Sequence, residues 1–293
     1  MIVRGPRYIA AVAAQRNYVG STPKDGILCH LCRRSTTLTK AHIPPRCAGN
    51  SSGRVVRMRP YIRDGVMQHD TPLDGGLWLK TLCDPCNHLA SLYDDAYGDF
   101  AGSVSRQDRM ETASWSLPVS SGGVPAVHVS PGRVARSLLL AMIALTPSMN
   151  LVHGAFVDEL HQDCDEVRLP AGMQLRVARV RHRACRISSA YSMMQVLGAR
   201  QTYDVFAEIC FFPFIWALCS PSPASLGPAV VDQEGWGDAT DWIMYRRTVE
   251  RADLRSVLKR LPLTTHPTQR NRSEWVEMSA RDASYVLEGQ IKE

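Results

Sequence analysis

Leu28-Cys29-His30-Leu31-Cys32-Arg33-Arg34 near the start of the chain and Leu82-Cys83-Asp84-Pro85-Cys86-Asn87-His88 further along decide how this sequence folds. Each holds a Cys-x-x-Cys pair, and a two-residue spacer lets both sulfurs turn to one side of a tight knuckle, where they clamp a single ion. Cys29, Cys32, Cys83 and Cys86 are therefore the expected donors of one structural zinc. The 50 residues between Cys32 and Cys83 exceed the roughly 15–20 of a simple zinc ribbon, so the gap must contain structure of its own. A cross-braced arrangement would need a second, interleaved ligand set, for which only His42, Cys47 and His69 are present.

Working outward, the chain of 293 residues is 45% hydrophobic and 21% charged, the composition of a globular protein with real cores rather than of a disordered one. Its longest apolar runs, Ser137–Leu145 and Ile209–Cys219, are core-sized and too short to span a membrane. The first residues hold only a weak apolar stretch, broken by Arg16 and Asn17, so the expectation is an intracellular, cytoplasmic protein. Nine cysteines cannot all pair with one another, and reduced thiols fit that compartment. Cys210 and Cys219 flank an apolar run and read as small buried hydrophobes.

Formal net charge is +6, and its distribution matters more than its size. From Arg33 to Arg63 there are eight basic side chains and no acidic one, a patch suited to polyanions. A second basic stripe contains Arg179, Arg181 and Arg183, which on one strand would share a face and could meet phosphates. The cluster Asp158–Glu166 lacks ligand periodicity and reads as a solvated acidic turn.

Four segments are expected. Residues 1–26 form an N-terminal segment with a short helix near Tyr8–Gln15, and 27–119 form the zinc-stapled module. Residues 120–129, opening Ser120-Ser121-Gly122-Gly123, are a linker, and 130–293 form an α+β domain. Leu89, Leu92, Tyr93, Ala96 and Phe100 sit at helical spacing, so a helix should leave the second cysteine pair. Ser130-Pro131 opens an apolar helix over 133–145 that Pro147 stops. Residues 175–180 and 203–218 read as strands of an antiparallel or mixed sheet, with 242–261 returning to helical spacing before a polar tail.

Between the cysteine pairs lies Leu38-Thr39-Lys40-Ala41-His42-Ile43-Pro44-Pro45. A Cys-x-x-Cys pair, a strand ending His-Ile-x-Pro and then Leu-Cys-x-x-Cys-Asn running into a helix resembles the zinc-stapled HNH endonucleases over about residues 27–104. The resemblance implies a ββα-metal core of treble-clef type, a structural zinc on the cysteines and a separate catalytic Mg²⁺ or Mn²⁺. It makes His42 the general base that activates water and puts Asn87 where the family has Asn or a metal-binding His. Phosphodiester hydrolysis needs such a base beside a hard cation. His88, and Asp94 with Asp95 two turns on, are the nearby replacement ligands. Lys40, Arg46, Arg54, Arg57 and Arg59 are the expected phosphate contacts.

The sequence departs from the family at two positions. The acidic residue that usually precedes the histidine is Ala41, and the intermediate Asn falls on Trp78. Three readings therefore stand: a metal-dependent HNH-type endonuclease acting on nucleic acid, DNA ahead of RNA; a zinc-stapled nucleic-acid-binding protein whose nuclease site has decayed; and a module that uses its zinc knuckle to bind another protein.

Overall fold

The computed structural model of the chain describes residues 28–63, 66–113, 126–162, 168–194, 202–219, 236–240, 250–253, 261, 263 and 286–292. The first cysteine pair is followed by β1 (Leu38–His42), a 3-10 turn at Arg46–Ala48, β2 (Val55–Met58), β3 (Pro60–Arg63), β4 (Val66–His69), β5 (Leu73–Asp74) and β6 (Trp78–Cys83). The second pair opens α1 (Asp84–Ser91), which gives way at Leu92-Tyr93 to α2 (Asp94–Ala113). The single helix expected there is thus two. Asp94 and Asp95 in the first turn of α2 suit a fresh helix N-terminus, whose exposed amides attract negative charge.

Next come β7 (Ala126–Val129), α3 (Pro131–Leu145), α4 (Met149–Val152) and α5 (Gly154–His161), then β8 (Gln174–Arg179), β9 (Ala184–Met194), β10 (Thr202–Phe211) and β11 (Phe214–Cys219). Short β12 (Gly237–Asp238) and β13 (Glu250–Asp253) precede β14 (Val286–Ile291). The class is α+β. The linker expected at 120–129 ends as strand β7, whose partner is β13. Residues 250–253, expected to be helical, are therefore strand, because pairing with β7 outweighs a weak local period. The rest of 242–260, the helix expected near Tyr8–Gln15 and the polar tail lie outside the described residues.

The eight-stranded sheet runs β12-β8-β11-β10-β9-β14-β2-β5 and every pair in it is antiparallel. β14 lies between β9 and β2, so strands from both sides of residues 120–129 belong to one sheet. One face of the sheet presents Leu175, Val177, Ile209, Phe214, Trp216 and Leu218 to the main core. There Phe214 stacks on Phe100 of α2 at 5.2 Å and meets Trp216 edge-on at 5.6 Å. The opposite face carries Ala178, Val180, Cys210 and Ile215. It also holds a buried ion pair, Arg186 to Glu208 at 2.7 Å. Burial pushes the Glu208 carboxyl up, and Arg186 pulls it back down.

α3 is the hub of the packing. Val134 to Leu145 are buried without a break, as in a core helix apolar on all sides, and each fully buried Leu or Met there contributes about 1.5–3 kcal/mol. Pro131 sits in its first turn, where a missing N–H costs nothing. Its buried Arg136 lies 5.0 Å from the Tyr93 ring centroid and donates to the carbonyls of Leu160 and Gln162 at the end of α5. None of the helices in the described residues is long and apolar enough to cross a membrane.

Candidate metal centre and adjoining cleft

The first cysteine pair lies on a knuckle closed by its own backbone. Arg33 N–H donates to the Cys29 carbonyl at 2.8 Å, Cys29 N–H to the Arg34 carbonyl at 3.0 Å, and Leu28 bridges Ser35. Arg33 makes the reversal with φ 64°, a conformation uncommon outside glycine. His30, between the two cysteines, points away from them. Its N–H donates to the Thr81 carbonyl at 2.9 Å, and its Nδ1 lies 2.7 Å from the Ala144 carbonyl at the end of α3. Asn150 Nδ2 donates to the His30 carbonyl. The knuckle is thereby fastened to β6 and to the core helix.

The second pair is brought in by β6, which runs antiparallel to β1 with Leu38 opposite Cys83. Cys83 caps α1, and Cys86 lies in its first turn, where helix amides favour thiolate charge. The ligating atoms of Cys29, Cys32, Cys83 and Cys86 all lie within 4.8 Å of one another. Sulfurs on a zinc ion at about 2.3 Å occupy tetrahedron corners about 3.8 Å apart; the Cys32 and Cys83 sulfurs are separated by 3.7 Å. Cys83 N–H donates to the Cys29 sulfur at 3.3 Å.

The electrostatics of the cluster favour a cation. Hydrogen bonding from Cys86 holds the Cys29 thiol down to about 4, whereas the same contact pushes Cys86 well above an ordinary thiol. Burial raises Cys83 to about 11. One thiolate is accommodated easily and four are not, so a dication is what allows all the sulfurs to ionise together. The four cysteines can hold a metal such as zinc, and among the described residues they are the one His, Cys, Asp or Glu group drawn together tightly enough to do so.

Beside this cluster opens a cleft of about 670 Å³ lined by His42, Asn87, His88, Asp94, Asp95, Lys40 and Arg46. His42 ends β1 with Trp78 directly opposite. Burial holds its imidazole down to about 4, with Arg46, Lys40 and Arg57 adding to the effect and the Gly75 backbone opposing it. The ring is therefore neutral at physiological pH, and the same burial makes it a weaker proton acceptor than a free imidazole. Asn87 Nδ2 donates to the Lys40 carbonyl at 3.2 Å, tying α1 to β1. Burial pushes the Asp94 carboxyl up to about 6; Ser137 Oγ, which donates to it at 3.0 Å, acts the other way, and Asp95 adds to the rise.

The remaining expected site residues divide. Arg54 lines a neighbouring cleft rather than this one. Arg57, expected on a phosphate, is 8% exposed, with its guanidinium 3.8 Å from the Trp78 ring centroid. Its charge is committed to packing. Arg59 lines neither cleft, and its backbone N–H donates to Asp70 Oδ1 at 2.6 Å. Arg179, Arg181 and Arg183 do not share a strand face, since β8 stops at Arg179. Arg179 and Arg181 close instead on buried Asp108, at 3.4 and 3.0 Å. Asp158 pairs with Arg33.

One positioning residue escaped the sequence reading. Asn50, fully buried, donates to the carbonyls of Pro44 at 2.6 Å and Leu77 at 2.8 Å and accepts from Leu77 N–H at 2.7 Å. It pins the chain just after His42 to the chain just before Trp78. Gly76, at φ +80°, is needed there, because a Cβ would lie 2.7 Å from Asn50 Oδ1. Nothing periodic marks Asn50; its one signal is a polar residue among the glycines of a loop. Comparison with protein-family models, curated proteins and solved structures finds no match to this chain.

Proposed function

We propose that this chain is a metal-dependent endonuclease of the HNH type, hydrolysing phosphodiester bonds in nucleic acid, DNA ahead of RNA, on a scaffold held by a structural zinc at Cys29, Cys32, Cys83 and Cys86. The observation that carries the reading is the convergence of His42, Asn87, His88, Asp94 and Asp95 on one cleft beside the four-cysteine cluster. His42 accepts the proton of the attacking water. A Mg²⁺ or Mn²⁺ ion would draw its ligands from His88, Asp94 and Asp95, which line the cleft without forming a preassembled metal cluster, and would supply charge to the scissile phosphate and the leaving oxygen. Lys40 and Arg46 add cationic contacts to the phosphate.

The departures at Ala41 and Trp78 bear on how the cation is held. Ala41 is 4% exposed and belongs to the core, so a carboxylate there would be buried among apolar side chains. Asp94 and Asp95 at the start of α2 are carboxylates that line the same cleft as His42. The same two positions favour a second reading, a zinc-stapled nucleic-acid binder without catalysis. A cleavage assay decides between them. Wild-type protein with Mg²⁺ or Mn²⁺ should cut, and His42→Ala should lower the rate by roughly 10²–10⁴-fold with zinc content unchanged. Salt-sensitive binding with no cleavage of single- or double-stranded DNA or RNA would leave the second reading.

A further inference from the structure

Adjoining the His42 cleft is a larger one of about 1040 Å³. We propose that it binds one unpaired strand of nucleic acid through its phosphates and leads that strand to His42, an inference that rests on the nucleic-acid reading of the neighbouring site. Its walls come from segments far apart in the sequence. α2 supplies Arg106 and Arg109, the chain between β8 and β9 supplies Arg181 and Arg183, and Arg54 and Lys292 stand with them.

Against these six cations the cleft sets three carboxylates, Asp95, Asp99 and Asp108. Asp108 is buried and already held by Arg179 and Arg181. All six cationic side chains are exposed, with Arg181 already paired to Asp108 and Lys292 to Asp74. With Asp74 counted beside Lys292, six cations face four carboxylates, and the cleft is a trough that keeps a net positive charge.

Two further features suit a polynucleotide. Cys47 and Asp95 line both clefts, so a strand lying in the larger one continues directly into the smaller. Half-buried Phe212, beside Pro213 in the β10–β11 turn, offers an aromatic side chain to a base. Stacking of that kind needs a base face left open, which is why the occupant is a single strand rather than a duplex. Gly102 keeps the α2 side of the trough low, while Gly98 makes room for Cys47. A Cβ at Gly102 would meet only the Arg106 side chain, at 3.5 Å, so that position accepts a larger residue.

Fluorescence anisotropy with a labelled oligothymidylate, in buffer without added divalent metal, tests the trough apart from any chemistry. Wild-type protein should bind with a steep salt dependence. Arg109→Glu combined with Arg183→Glu should weaken binding at least about tenfold and flatten the salt slope by about 1.4 or more, as expected for two lost phosphate contacts on a single strand. Gly102→Met fills the trough at constant charge and should weaken binding about fivefold or more, with an unchanged melting temperature showing that the fold is intact. Wild-type affinity in the double variant and in Gly102→Met, no binding by wild type at low salt, or tighter binding of a duplex of the same length would each overturn the assignment. If wild type fails to cleave while binding still depends on Arg109, Arg183 and Gly102, the nuclease reading fails and the trough stands.

Discussion

His42 and Trp78 stand directly opposite each other across the β1–β6 ladder, and the Trp78 ring carries Arg57 at 3.8 Å and Lys40 at 4.5 Å from its centroid. Two cations are thus fixed on the ring of the residue paired with His42. Each such contact contributes about 0.5–2 kcal/mol and holds positive charge near the histidine.

The first expected outcome concerns the titration of His42. Burial and the surrounding cations hold the folded-state value near 4, against 6.5 for the free side chain. Between those values the unfolded chain binds a proton and the folded one does not. Stability contributed by neutral His42 is therefore fully present above about pH 6.5 and is lost as pH falls toward 4. NMR of the ring should show a neutral imidazole at pH 5.5, and His42→Asn should reduce the acid sensitivity of unfolding. A midpoint at or above 6.5 would show that the ring is solvated.

Metal content is the second. Purified protein should carry about one zinc per chain, bound by four sulfurs at about 2.3 Å in X-ray absorption. Cys83→Ser or Cys86→Ser should lose the metal and unfold the β1–β6 hairpin with α1. Full zinc retention in both variants would mean that the donors are elsewhere.

Asn50 gives a third. Asn50→Ala leaves the carbonyls of Pro44 and Leu77 and the Leu77 N–H without their buried partner and should cost about 2–4 kcal/mol in chemical denaturation. If Asn50 positions His42, cleavage should fall further than the loss of folded protein explains. A change below about 0.5 kcal/mol would show that water replaces the side chain readily.

The buried Arg186–Glu208 pair is the fourth. Glu208→Leu strands a guanidinium in the sheet and should cost about 3–5 kcal/mol, whereas Arg186→Met with Glu208→Leu should recover most of that loss. Equal destabilisation by the single and double variants would mean that the pair is not coupled.

These sites differ in how much of them the sequence discloses. The cysteine pairs are readable because a two-residue spacer acts locally, and α3 because Pro131 and Pro147 bracket one apolar run. The strands over 203–218 are readable from their apolar run, whereas the turn at Phe212-Pro213 that splits them into the β10–β11 hairpin is not. The insertion of β14 between β9 and β2 is not readable, since nothing local to Val286–Ile291 names partners as distant as Val55–Met58. Arg57 illustrates a different failure. Composition counts its charge with the exposed basic patch, whereas the side chain is spent on Trp78. His42 and Asn87 are named through the family resemblance and His88 as the neighbour of Asn87, whereas the burial that keeps His42 neutral depends on tertiary packing.

Anomalous diffraction from crystals soaked in Mn²⁺ tests the proposed cation beside His42 most directly. The expected map has a zinc peak among Cys29, Cys32, Cys83 and Cys86 and a separate manganese peak in the cleft bounded by His42, His88, Asp94 and Asp95. A zinc peak alone, with that cleft free of manganese at millimolar concentration, would contradict the proposed catalysis.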